Sequence, residues 1–96
     1  MFVNENIKYP AIYTHVGSTQ RVAIYHNNGK GTYTPRFFVD NYQPKDKKHT
    51  QRSFTSFRKK GDALAFAEKV CSRLSRFNAK DVFAIEKIVK ELNNEH

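Results

Sequence analysis

Residues 21–42, RVAIYHNNGKGTYTPRFFVDNY, decide the fold. From Arg21 to His26 the chain alternates: Val22, Ile24 and His26 fall on one face of an extended strand, Arg21, Ala23 and Tyr25 on the other. Asn27-Asn28-Gly29-Lys30-Gly31 follows, and Asn-Gly is a strong hairpin signal because both residues tolerate positive φ. The returning strand, 32–42, sets Tyr33, Phe37 and Val39 against Thr34, Arg36, Phe38 and Asp40. Pro35 donates no ladder hydrogen bond, so it implies a sheet edge, a bulge or the start of the strand.

Working outward, residues 11–16 are β-branched and aromatic and predict a short strand before the turn at Gly17-Ser18-Thr19. Downstream, residues 43–49 form a basic loop, and residues 50–57 predict a further strand. Phe54 and Phe57 stand three apart, so strict alternation cannot bury both; the spacing implies a bulge or an early strand end. Gly61-Asp62 opens a helix with Asp62 as N-cap, and Ala63, Phe66, Ala67, Val70, Leu74 and Phe77 give it one apolar face to about residue 77. Asn78, with Asp81 three residues on, has the form of a capping box for a second helix striped by Val82, Ile85, Val89 and Leu92. Residues 93–96 should fray. The expectation is one α+β domain over residues 1–96: an antiparallel sheet of three to four strands followed by two C-terminal helices, one packed on the sheet.

Charge points to the partner. Seventeen Lys and Arg oppose nine Asp and Glu, a formal net charge of +8, and such an imbalance bears on binding partners and association rates. Residues 45–60 hold seven cations, Lys45, Lys47, Lys48, Arg52, Arg58, Lys59 and Lys60, with Asp46 the single acid. Loops of this kind grip phosphates on either side of a groove, although Lys-rich loops also keep a sheet edge solvated. The outward sheet face supplies a second constellation: Arg21, Tyr25, Arg36, Phe38 and Arg52, with Lys30 in the hairpin loop. Arginines suit guanine edges in a major groove, and aromatic rings suit unpaired bases. The alternative for Tyr25 and Phe38 is burial under the second helix or the amino-terminal segment.

Other chemistries find little support. Cys71 is the only cysteine, so no intramolecular disulfide and no cysteine-based zinc site can form, and its place on the apolar helix face suits a core residue. His15, His26, His49 and His96 lack ligand spacing, although His15 and His26 could meet across a hairpin. Glu68, Glu86 and Glu91 read as solvated helix-face acids. Gly29-Lys30-Gly31 is a turn and not a phosphate loop. No nucleophile is paired with a base, so no enzyme activity and no cofactor are expected. The start of the chain lacks a signal-peptide pattern and no apolar run reaches spanning length, so a soluble cytoplasmic protein without membrane contact is expected.

Three runs, Thr32-Tyr33-Thr34-Pro35-Arg36-Phe37-Phe38-Val39, Arg52-Ser53-Phe54-Thr55-Ser56-Phe57 and Gly61-Asp62-Ala63-Leu64-Ala65-Phe66-Ala67-Glu68, carry a resemblance. Over residues 20–75 the chain resembles the three-stranded-sheet-plus-helix DNA-binding domains of ethylene-response factors and of the arm-binding modules of tyrosine integrases. That resemblance implies a sheet laid in a DNA major groove, with Arg21, Arg36 and Arg52 reading bases or phosphates. Duplex DNA is therefore the expected ligand. The competing expectation is a small phage-type or mobile-element protein that binds the acidic surface of a host enzyme or defence complex and inhibits it.

Overall fold

The computed structural model describes residues 1–42 and 49–94. Five strands form an antiparallel sheet in chain order: β1 (Phe2–Asn6), β2 (Ala11–His15), β3 (Arg21–Asn27), β4 (Thr32–Tyr42) and β5 (His49–Ser53). Two helices follow, α1 (Lys60–Cys71) and α2 (Val82–Asn93). The α+β expectation holds, with five strands in place of three to four. The additional strand is β1, whose residues after Phe2 are all exposed. It pairs with β2 from Phe2↔His15 to Asn6↔Ile12 across a register shift between Asn4 and Asn6. An edge strand that buries one side chain carries no apolar alternation for a sequence reading to find.

The hairpin reading holds, with a different turn. Asn27 pairs with Thr32, leaving a four-residue loop in which only Gly31, at φ +62°, is left-handed. The Asn27 side-chain oxygen accepts from Lys30 N–H at 3.1 Å and tightens the loop. Pro35 lies inside β4 opposite Ile24 and is buried. Its ring nitrogen points to the same side as Tyr33 N–H, which donates to Phe57 O. β5, however, ends at Ser53, opposite Arg36, so the missing donor faces the gap between Ser53 and the Tyr33–Phe57 bridge. That gap is the early strand end implied by the spacing of Phe54 and Phe57, and both rings turn back onto the core.

Alternation gives the sheet one covered face. Tyr13, Val22 and Phe37 stand in register across β2, β3 and β4, and they share one apolar cluster with α1 and α2. Phe37 is fully buried, with its ring centroid 6.1 Å from that of Phe54 and 6.3 Å from that of Phe66. Burial of one such side chain stabilises by about 1.5–3 kcal/mol. α1 meets the sheet through small residues, Ala63, Ala67 and Cys71, together with Val70.

The helix ends differ from expectation. Lys59 is the N-cap of α1, not Asp62, and α1 stops at Cys71. Leu74 stays buried in the connection that follows, whereas Phe77, expected on the apolar face, is fully exposed. Asn78 caps no helix; it accepts from Ser75 N–H at 2.8 Å inside a turn. Asp81 is the N-cap of α2 and accepts from Phe83 and Ala84 N–H.

A buried polar chain braces the β2–β3 turn. His15 Nδ1 accepts from Ser18 N–H at 3.1 Å and lies 3.0 Å from Ser18 Oγ, while Nε2 lies 3.2 Å from Glu68 Oε2. The Met1 amino group sits 2.6 Å from the other oxygen of Glu68. Gln20, also fully buried, takes Phe38 N–H on its carbonyl oxygen and gives its amide hydrogens to Phe38 O and Ala79 O.

Two outcomes follow. Gly31 has open space where a Cβ would stand, so Gly31→Ala should cost only the left-handed backbone penalty. Chemical denaturation should show a loss of about 1 kcal/mol for Gly31→Ala and a smaller loss for Gly31→Asn. Burial lowers the pKa of His15 from 6.5, with Glu68 opposing and the Met1 amino group reinforcing the shift. The neutral ring is thus the folded form, and the unfolded chain takes up the proton first as pH falls. The contribution of His15 is complete above its unfolded pKa and is lost as pH drops toward the folded one. The urea midpoint should fall as pH drops through and below the unfolded value of 6.5, and His15→Gln should flatten that dependence.

Candidate nucleic-acid interface

The same alternation that points Val22 and Phe37 inward leaves Arg21, Ala23 and Tyr25 of β3 and Thr34, Arg36 and Phe38 of β4 on the outer face. Both helices share the inner cluster, so neither covers this face. Ala23 stands opposite Arg36, with Arg21 and Tyr25 two residues to either side along β3. Each arginine lies over an aromatic ring of the other strand. The Arg21 guanidinium carbon is 4.9 Å from the Phe38 centroid, and that of Arg36 is 5.0 Å from the Tyr25 centroid. The Tyr25 hydroxyl donates to Gln51 Oε1 at 3.1 Å, which orients its ring. Arg21 and Arg36 are exposed, whereas Phe38 and Tyr25 are half-buried beneath them. Each ring therefore lies under a guanidinium group, on the face that neither helix covers.

A guanidinium on a ring face spends none of its in-plane N–H donors on the ring. Arg21 Nε lies 3.3 Å from Glu5 Oε2, with both groups about half exposed. Such a surface pair is worth only about 0–1 kcal/mol and exchanges readily for a phosphate. Beside this ladder, Tyr25, His26, Asn27, Asn28, Thr34 and Arg36 line a shallow depression of about 480 Å³.

The remaining cations scatter. Lys30 is exposed in the hairpin loop, and Arg58 and Lys59 are exposed ahead of α1. The Lys60 ammonium instead sits 5.6 Å from the Tyr9 ring centroid and 5.7 Å from that of Tyr13, and a hydrogen bond to Tyr13 raises its pKa. Lys45, Lys47 and Lys48 lie outside the described residues. Arg52 corrects the expectation directly. It pairs with Phe37 in register and so belongs to the inner face, where its Nε lies 3.6 Å from Glu86 Oε1 and its guanidinium carbon 4.4 Å from the Phe54 centroid.

The helix acids also hold partners: Glu68 with His15, Glu86 with Arg52, and Glu91 with Arg73 at 3.9 Å. Helical spacing alone could not show these pairings, because each partner comes from another part of the chain. His15 and His26 do not meet: His26 stacks on Tyr33 with ring centroids 4.4 Å apart, at the other end of β3. No group of three or more potential metal ligands occurs among the described residues.

Sequence reading missed the Ser18–His15–Glu68 chain, which has the connectivity of a nucleophile, base and orienting acid. Ser18 is fully buried and its oxygen also accepts from Gln20 N–H at 3.3 Å, so the hydroxyl reaches no bulk solvent. Burial pushes the Cys71 thiol up to about 12, away from the reactive thiolate. No helix among the described residues is long and apolar enough to cross a membrane.

The inner-face placement of Arg52 has a consequence for stability. Arg52→Ala removes a partly exposed ion pair and a ring contact, so it should cost about 1 kcal/mol in denaturant unfolding. An unchanged midpoint would contradict its placement against α2.

Compared with protein-family models, curated proteins and solved structures, the chain matches none of them.

Proposed function

We propose that this protein binds duplex DNA across the outer face of β3 and β4, with Arg21 and Arg36 as the central contacts. One observation carries the reading: two exposed arginines, on a face no helix covers, are each laid over an aromatic ring of the neighbouring strand. A long cation ordinarily loses rotamer freedom when it binds; a ring already beneath it reduces that loss. The flat guanidinium then offers paired donors to a phosphate or to a guanine edge.

The same stacking favours duplex over single strand. Proteins that hold unpaired bases need open aromatic faces. Here Phe38 and Tyr25 each have one ring face under a guanidinium. Exposed Lys30, Arg58 and Lys59 would meet phosphates to the sides, and the net charge of +8 would draw the duplex in.

Fluorescence anisotropy of labelled random duplex DNA, duplex RNA and single-stranded DNA across a salt series tests this. Duplex DNA should bind tightest, with log affinity falling against log salt by about 0.9 per phosphate neutralised. Arg21→Ala/Arg36→Ala should weaken binding by about tenfold or more and lower that slope by about 1.8 if both contact phosphate. Full affinity in the double variant would remove the sheet face from the interface, and no binding by any of the three nucleic acids at low salt would end the reading.

A further inference from the structure

α2 carries a second surface, on the side opposite the one it buries in the core. Its inward stripe is Val82, Ile85, Ile88 and Val89. Outward, Phe83, Lys87 and Lys90 recur at spacings of four and three, which places them on one line along the helix. All three are exposed, Phe83 to 69 %. The acids of α2 stand beside arginines, Glu86 3.6 Å from Arg52 and Glu91 3.9 Å from Arg73, so each pair is neutral and the two lysines leave the stripe net positive. Among the described residues, Lys87 and Lys90 have no carboxylate partner. Beside the stripe, between α2 and β5, runs a groove of about 430 Å³ in which Phe54, Phe83 and Val89 are flanked by Lys87, Lys90, Asn93 and the Arg52–Glu86 pair, so its lining is mixed and net positive.

A large apolar side chain left in water beside uncompensated lysines adds nothing to the core. Aromatic anchors ringed by charge are a recurring form of protein docking site. A nucleic acid would satisfy the lysines but brings no aliphatic side chain to meet Phe54, Phe83 and Val89. We propose that this stripe and groove dock an acidic segment of another protein, with an apolar side chain in the groove and carboxylates on Lys87 and Lys90. The inference does not depend on the DNA reading, because the arginine ladder lies on the far side of the sheet.

The test is selection from a displayed library of random peptides of about sixteen residues, long enough to lie along the groove. Enriched peptides are then labelled and titrated by anisotropy. They should be rich in Asp and Glu around a Leu or Phe. Lys87→Glu/Lys90→Glu and Phe83→Ala should each weaken them by about tenfold or more, and Arg21→Ala/Arg36→Ala should leave them unchanged. These positions are exposed, so unfolding midpoints should stay near wild type. No enrichment, enrichment of peptides without acids, or equal binding to the charge-reversed variant would overturn the proposal. It would also be overturned if Lys87→Glu/Lys90→Glu weakened duplex DNA as strongly as the sheet-face variant, since α2 would then belong to the nucleic-acid surface. Failure of the peptide arm alone leaves the sheet-face measurement untouched.

Discussion

The buried carboxamide of Gln20 ties together three parts of the chain: the start of β3, the middle of β4 and the segment before α2. It meets both backbone groups of Phe38 and reaches the carbonyl of Ala79. A side-chain amide here stands in for a peptide group, extending the bonding of β4 just past Val22↔Phe37, the last pair of the β3–β4 ladder. An unsatisfied amide at such depth would cost about 1–3 kcal/mol, so the three segments are favoured only together. The position of the Phe38 ring, and with it the seat of Arg21, depends on this clamp. The entry to α2 is fixed here twice, by the bond from Gln20 to Ala79 O and by Asp40 N–H, which donates to Lys80 O at 3.0 Å.

Ion pairing sorts the charges of this protein into structural and available groups. Arg52, Arg73 and Glu68 are engaged with partners from distant parts of the chain, whereas Arg36, Lys87 and Lys90 have no carboxylate partner among the described residues. A net charge of +8 is therefore not spread evenly in its effect. One concentration lies on the outer sheet face and another on the outer side of α2. The protein's two faces differ in the same way: aromatic rings under arginine on the sheet, an aromatic ring among lysines on the helix.

Most of the sheet and both helices were legible in the sequence because period-two and helical periodicities survive wherever one face is buried. Val22, Ile24, Phe37 and Val39 carried that signal, and with it the outward direction of Arg21, Tyr25, Arg36 and Phe38. β1 was not legible because its exposed residues carry no such contrast. Leu74 and Phe77 fitted the α1 spacing by coincidence, and the stop at Cys71 carries no glycine or proline signal: Ser72 closes the helix through backbone bonds and through its hydroxyl, which donates to Lys69 O at 3.0 Å. Arg52 was misplaced because its face is set by pairing with Phe37 and by Glu86, neither of which lies near it in sequence. The buried chain of His15, Ser18 and Glu68 was invisible for the same reason. A histidine, a serine and a glutamate look alike whether solvated or bonded to each other.

The strand order carries a consequence for how the chain reaches this state. Every strand pairs only with its neighbours in sequence. No crossover must wait for a distant segment, so the loop-closure entropy at each step is small, and topologies of this kind fold quickly for their β content. During synthesis each strand would emerge next to a partner already made, and the exposed edge would move along the sheet as it grew. The helices come last, so the apolar face stays open until α1 and α2 arrive and cover it. The interval between a finished sheet and a finished protein is the one in which this chain is most exposed to aggregation.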